Sequence, residues 1–308
     1  MKKYLTFDIG GTMIKYGLVN DQGVIIDHHL MASEAHLGGL HIISQIENIA
    51  RAYLADHTLA GIGVSTAGVV DHITGTILHA NENIPDYKGI NIKQIVEEQF
   101  GIACEVENDV ACAGLSEIYY GAAQNKEICV CLTIGTGIGC SIIIDHQVFH
   151  GANHYAGEVG YMPMNGFLFE ELASTRALVR KVSGAKNIED ISGEKIFESA
   201  RAGDQICESA IVEMCDNLAR GISGICYVIN PQAVVLGGGI TAQGKYLHDI
   251  LSEKLDKYLI EPIRRNTKLL FARNGNQAGM LGAYCNFCIR QGIACGAMEK
   301  GMPANDKI

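Results

Sequence analysis

Two glycine-rich turns, each entered from an apolar strand, constrain this chain more than any other feature. Tyr4-Leu5-Thr6-Phe7 leads into Asp8-Ile9-Gly10-Gly11-Thr12, and Ile128-Cys129-Val130-Cys131-Leu132-Thr133-Ile134 leads into Gly135-Thr136-Gly137-Ile138-Gly139. Beyond each turn the pattern is strand-like again, over residues 14–19 and 142–144. Strand, glycine turn, strand is a hairpin whose tip can bring backbone N–H groups against an anion. Glycine permits the positive φ and the close approach that such a tip needs. One hairpin in each half predicts two related half-molecules clamping one polyphosphate. A glycine turn alone is ordinarily only a turn, so the polar residues at the tips carry the argument. Asp8 ends an apolar strand, where an uncompensated carboxylate is costly, and it is suited to hold Mg²⁺ directly or through water. Thr12 and Thr136 offer hydroxyls to phosphate oxygens. Lys15 offers a positive charge, or is simply an exposed strand residue.

Composition narrows the function class. A chain of 308 residues suggests about two domains with a sizeable core. The net charge of −10 does not favour a nucleic-acid surface. No apolar run approaches the roughly 20 residues of a membrane span, and the N-terminus lacks the features of a signal peptide. The expectation is a cytoplasmic protein with no nucleic-acid or membrane partner. There are eleven cysteines. Cys129 and Cys131 alternate on one strand face, and Cys104, Cys112, Cys207, Cys215 and Cys226 lie in periodic apolar segments, so buried reduced thiols are expected. Cys285 and Cys288 form a C-x-x-C in a helical pattern without a second pair nearby.

Periodicity predicts strands near 3–9, 13–20, 23–31, 59–65, 102–106, 127–134, 138–145, 233–236 and 268–272. Helices are predicted near 38–55, 109–120, 170–183, 193–201, 204–229, 243–258 and 277–291. The fold class is α/β. Expected domains are a small one over 1–118 and a large one over 119–286, with a helix at about 287–300 on the small domain and a frayed tail at 301–308. Asn108-Asp109 falls at the carboxyl end of a strand and the start of a helix, where open α/β sheets bind ligands. Asp109 could equally be only a helix N-cap.

The pattern βββαβαβα in each half resembles the actin-like, hexokinase-like ATPase fold, with two related α/β domains around a cleft. More specifically, the chain resembles the ROK sugar kinases over nearly its whole length. The segments that carry the resemblance are 8–12, Gly63-Val64-Ser65-Thr66-Ala67-Gly68-Val69-Val70-Asp71, Glu107-Asn108-Asp109-Val110, 132–139, Ala156-Gly157-Glu158-Val159-Gly160 and Leu236-Gly237-Gly238-Gly239-Ile240. The resemblance implies ATP-dependent phosphorylation of a hexose 6-hydroxyl, with ATP and Mg²⁺ as cofactors and a homodimer as the assembly. It makes Asp109 the catalytic base. It places Asn108, Glu158, Glu170, Tyr161, Asn83 and Gly68 at the sugar, and Asp8, Gly10, Gly11, Thr12, Lys15, Thr133, Gly135, Thr136, Gly137, Gly237, Gly238 and Gly239 at the nucleotide. Glu170 competes with a reading as a first-turn helix acid, and Glu171 leaves the register of that match open.

One departure is informative. Many ROK members carry a His where Tyr161 stands, followed by a Cys-rich zinc loop. Residues 162–169 contain neither Cys nor His, so the protein is expected to hold no structural zinc. In this the chain resembles N-acetylmannosamine kinases and β-glucoside kinases. Ile84-Pro85-Asp86-Tyr87-Lys88-Gly89 and the run from Phe169 to Thr175 are similar to the former, and glucose ranks third. A sugar-responsive repressor of the same family would carry a helix-turn-helix domain ahead of the first turn, and none is expected before Asp8. An iron–sulfur activator ATPase could use Cys285 and Cys288 but would leave Glu158 and Glu170 unexplained.

Overall fold

In the computed structural model, which describes residues 1–80 and 82–296, the chain forms two compact units. Unit 1 comprises Met1–Asn125, Gln147–Ala156 and the chain from Asn276 on, and unit 2 comprises Lys126–His146 and Gly157–Gly275.

Unit 1 contains β1 (Lys3–Ile9), β2 (Met13–Asn20), β3 (His29–Ala32), α1 (Gly39–Asp56), β4 (Gly61–Thr66), β5 (Val69–Asp71), β6 (Thr76–His79), α2 (Ile92–Phe100), β7 (Cys104–Asn108) and α3 (Asp109–Tyr120). Its sheet runs β3-β2-β1-β4-β7, antiparallel through the hairpin and parallel from β1 onward. The central strands read as continuous apolar runs because helices cover both faces. Leu5, Phe7 and Ile9 pack with Ile42 and Ile46 of α1 in one core. Tyr4 and its alternates face the other way.

Unit 2 contains β8 (Ile128–Ile134) and β9 (Ile138–Ile144), and the two-residue β10 (Gln147–Val148) follows them in unit 1. Then come β11 (Pro163–Met164), β12 (Phe167–Leu168), α4 (Phe169–Ala173), α5 (Thr175–Lys186), α6 (Gly193–Arg201), α7 (Gln205–Ile229), β13 (Ala233–Gly237), α8 (Gly244–Tyr258), α9 (Glu261–Asn266) and β14 (Lys268–Phe271). The run β9-β8-β13-β14 repeats the topology of β2-β1-β4-β7. Asp204 caps α7 by accepting from Ile206 and Cys207 N–H groups, and left-handed Asn230 ends it just before Pro231.

The last helix, α10 (Ala278–Arg290), belongs to unit 1 and not to the domain expected over 119–286. It lies against β1, β4, β7 and α3, and glycines allow the approach. A Cβ on Gly63 would fall 2.6 Å from the Ala283 carbonyl oxygen, and one on Gly61 would fall 2.0 Å from the Phe287 ring. The Tyr4 ring meets Tyr284 at 5.1 Å and Phe287 at 5.4 Å between centroids. Sequence separation hid this, because a helix distant in the chain completes the first sheet.

Three smaller expectations change. The strand placed at 23–31 forms only over His29–Ala32. Before it, Asp27 holds the segment by accepting the Leu18 N–H with its side chain, at 2.7 Å. The helix placed at 170–183 is two helices, broken at Ser174, whose hydroxyl caps α5 through Ala177 N–H. Within the described residues the helix placed at 287–300 is only the end of α10, which stops at Arg290; residues 297–308, with the tail at 301–308, lie outside them.

Gly282→Ala tests the α10 contact. Its Cβ would fall 1.9 Å from the Cys112 carbonyl oxygen of α3, so backbone must move. Overpacking of this kind costs about 1–3 kcal/mol. Gly184→Ala in α5 meets nothing within 4 Å and should be neutral or stabilising, by up to about 1 kcal/mol. Urea unfolding of both variants checks the contrast.

Candidate active site

In unit 1 the first hairpin sets Asp8 opposite Lys15 across the β1–β2 register. Lys15 Nζ donates to Asp8 Oδ2 at 3.0 Å, and Ser65 Oγ, from the neighbouring β4, donates to Oδ1 at 3.0 Å. The carboxylate ending the apolar strand is therefore neutralised. A Cβ on Gly279, at the start of α10, would fall 2.1 Å from Asp8 Cγ. Asp8 is thus walled by Ser65 and Gly279, neither of which the sequence singled out as a site residue.

The hairpin tips differ from expectation in one respect. Gly10, Gly11, Gly135 and Gly137 do not adopt positive φ. Two of them serve by lacking a side chain: a Cβ on Gly10 would sit 3.3 Å from the Met13 carbonyl oxygen, and one on Gly137 would sit 2.5 Å from Glu170 Oε2. The Thr12 carbonyl accepts the Ser33 N–H at 2.9 Å. Exposed Asn83 stands beside the first tip, 3.9 Å from where a Gly11 Cβ would be.

Asn108 caps α3, accepting the Val110 and Ala111 N–H groups, so Asp109 is the first helical residue and not the cap. Asn108 Nδ2 donates to Asp109 Oδ1 at 3.0 Å and to the Gly68 carbonyl oxygen at 2.8 Å. Gly68 has φ 102°, and a Cβ there would lie 2.5 Å from the His79 carbonyl oxygen. Gly68, Asn108 and Asp109 are thus brought together. Burial, and secondly the Asp8 carboxylate, push Asp109 up to about 6, against the Val110 N–H and the Asn108 amide, which favour the ionised form.

In unit 2, Glu170 Oε2 accepts the Ile138 N–H at 3.3 Å, while Glu171 Oε2 accepts the Leu168 N–H at 2.8 Å. Glu171 thus closes the first turn of α4, and Glu170 faces the second hairpin. Exposed Glu158 precedes a 3₁₀ turn over Val159–Tyr161, with Tyr161 60 % exposed. After it, β11 and β12 pair Pro163 with Leu168 and Met164 with Phe167, so backbone hydrogen bonds close this loop. Thr133 pairs with Gly237 across β8 and β13. Gly238 has φ 87°, and a Cβ there would sit 2.4 Å from the Ile134 carbonyl oxygen. Gly239 and Gly135 line a pocket of about 620 Å³ with Thr136, Arg176, Val179 and Ile240. The sequence indicated the glycines of this pocket but not its α5 wall, since Arg176 and Val179 read as ordinary helix residues.

Comparison with known proteins decides the family. The ROK family pattern matches residues 4–287. The chain belongs to the ROK family. It is 45% identical over 93% of its length to an uncharacterised protein of Clostridium perfringens, covering 98% of that protein. It is 32% identical to a β-glucoside kinase of Listeria monocytogenes, over 92% of this chain and 97% of the relative. Among solved structures, a Listeria monocytogenes protein provisionally called an N-acetylmannosamine kinase is 31% identical with a TM-score of 0.83, covering 94% of this chain and 99% of that one. A ROK glucokinase of Streptomyces griseus, in complex with glucose and AMPPNP, is 28% identical with a TM-score of 0.77, covering 91% and 97%. The expected actin-like, hexokinase-like α/β fold of this ROK protein is that of these structures. No helix among the described residues is long and apolar enough to cross a membrane.

Gly279→Ala in this ROK protein should displace Asp8 while leaving Asp109 in place. The expected outcome is a fall in kcat of at least tenfold with a stability loss of about 1–3 kcal/mol, read by steady-state kinetics and thermal unfolding. Unchanged kcat would show that the tight Asp8 wall is unimportant.

Proposed function

We infer that this ROK protein is an ATP-dependent sugar kinase acting on the 6-hydroxyl of a hexose, N-acetylmannosamine before glucose. The observation that carries the reading is Asp109, a carboxylate at the carboxyl end of the sheet, held by Asn108 and raised to about 6. A base poised near the operating pH is what proton abstraction from a hydroxyl requires. Phosphoryl transfer otherwise needs positioning and charge neutralisation. Asp109 takes the hydroxyl proton as the oxygen attacks the γ-phosphorus and the bond to ADP breaks. Gly68, Asn83, Asn108, Glu158 and Tyr161 are the proposed sugar contacts, and carboxylate and amide groups suit hydroxyl donors and acceptors. Glu170 is a further proposed sugar contact, and its carboxylate also accepts from the Ile138 N–H of the second hairpin.

The 620 Å³ pocket of unit 2 is the proposed adenosine site, with Val179 and Ile240 supplying apolar surface. Gly237, Gly238 and Gly239, the tip residues Gly135, Thr136 and Gly137, and Thr133 support the phosphates from this side. Gly10, Gly11, Thr12 and Lys15 do so from unit 1. The hard oxygens of Asp8 fit Mg²⁺ held through water, with Lys15 and Ser65 fixing the carboxylate. When bound, Mg²⁺ neutralises charge on the transferred phosphate. A homodimer in the cytoplasm is the proposed setting.

Similarity over 84–89 and 169–175 supports N-acetylmannosamine. A second reading, a β-glucoside, is favoured by several relatives of that name, at 29–32% identity. A coupled assay over N-acetylmannosamine, cellobiose and glucose decides. The expected order of kcat/KM puts N-acetylmannosamine first. Cellobiose first would transfer the assignment to the β-glucoside kinases, and glucose first would overturn the loop argument.

Asp109→Asn should keep sugar affinity and lose about 10²–10⁴ in rate, or roughly 3–5 kcal/mol of transition-state stabilisation. The base must be ionised and its carboxyl is raised, so kcat/KM should be flat above pH 6 and fall as pH drops below about 6. An Asn variant with most of the wild-type kcat removes Asp109 from the reaction.

A further inference from the structure

Unit 1 holds a histidine cluster that the kinase reading does not use. His72 follows β5, and His150 and His154 lie on the segment Gln147–Ala156 that returns to unit 1. The His72 and His154 rings turn Nδ1 toward Nδ1 at 3.0 Å. His154 Nε2 lies 3.7 Å from Asp71 Oδ1. The His150 ring stacks on His72 at 3.6 Å between centroids, with an interplanar angle of 4°, and His150 Nε2 meets Glu107 Oε2 at 2.7 Å.

We propose that Asp71, His72 and His154 form a binding site for a divalent transition cation of the zinc class. One ligand atom from each lies within 4.8 Å of the other two. Bonds of about 2.0–2.2 Å put the donors of a tetrahedral zinc roughly 3.4 Å apart, so side-chain shifts of about an ångström close the set. Two imidazoles and one carboxylate suit zinc, cobalt or nickel better than magnesium. Three protein donors leave a fourth position for water.

The surroundings are built as metal sites are. Asp71 Oδ1 accepts the Ile73 and Thr74 N–H groups at 2.9 and 3.2 Å, which fixes the carboxylate. His150, tied to Glu107, holds the face of His72. Such outer partners orient ligands and tune their affinity. His154 has φ 69°, a left-handed conformation that is uncommon for a residue with a side chain and tends to persist at functional positions. Asp71 and His154 side chains are only 22% and 20% exposed. A cavity of about 230 Å³, lined by His72 and His150, adjoins the cluster on the His72 side. The site is distinct from the zinc loop of other ROK members, whose positions here are Tyr161 and residues 162–169. A cation at this site would pin the segment that ends two residues before Glu158.

Cobalt(II) is the probe, on the full chain after exhaustive chelation. Equilibrium dialysis should show one tightly held Co²⁺ per chain, with visible d–d absorption and no thiolate charge-transfer band, since all eleven cysteines are buried elsewhere. His72→Ala and His154→Ala should each raise the Co²⁺ dissociation constant by at least about 10–100-fold, the range that even outer-partner changes cost. His248→Ala, a surface change, should leave it unaltered. Circular dichroism confirms folding, and Asp71→Asn, a near-isosteric change, should weaken binding in a chain whose packing is kept. Absence of stoichiometric Co²⁺, or binding indifferent to all three substitutions, overturns the site.

Discussion

The approach of α10 to the first sheet is the contact on which the rest of unit 1 depends. Tyr4, Thr6 and Asp8 alternate along one face of β1, and Gly61, Gly63 and Ser65 stand beside them on β4. A helix can reach that face only because two of those six positions have no side chain and because Gly279 removes bulk from the helix itself, while Gly282 lets the same helix close on α3. Interiors pack like crystals, so such an approach is either accommodated fully or lost. It sets Gly279 against Asp8 at one end and the aromatic contacts of Tyr4 at the other. The reactive end of the sheet is thus positioned by residues more than 250 positions away in the chain.

Charge is managed by the same geometry. Burial raises Asp109, and the Asp8 carboxylate of the same unit adds to it. Lys15 pairs with Asp8, not with Asp109. Asp8 thus has a cation beside it, while Asp109 is left with the Asn108 amide and the Val110 N–H as its donors. Salt would weaken this little, because partly buried pairs are poorly screened.

What the sequence made legible was local. Strand periodicity and glycine turns located β1–β2 and β8–β9, and Asn108-Asp109 declared itself by following a strand and opening a helix. The long α7 was plain from its 3.6-residue period and the proline beyond its end. The rest needed tertiary contacts. Nothing in the local pattern of residues 277–291 says that this helix covers the first sheet. Arg176 and Val179 become pocket residues only when α5 is set beside the second hairpin. Histidines spread from 72 to 154 have no shared spacing, so their cluster is invisible until the chain folds. The role of the tip glycines was misread for a related reason: a positive φ is a local property, whereas room for Glu170 is not.

The two halves repeat a topology but not a charge. Counting back two residues from the first tip glycine gives Asp8 in one half and Thr133 in the other. Asp8 pairs in register with Ser65, and Thr133 with Gly237. A second carboxylate at the equivalent place would have no lysine opposite it, since the residue paired across β9 from Thr133 is Gly139 where β2 offers Lys15. Like charges at such range cost far more in a partly desolvated site than in water. A hydroxyl there can donate to phosphate at no electrostatic cost. The duplicated scaffold therefore differs at its two turns: the first hairpin carries a carboxylate and its counter-charge, and the second carries a hydroxyl facing glycines.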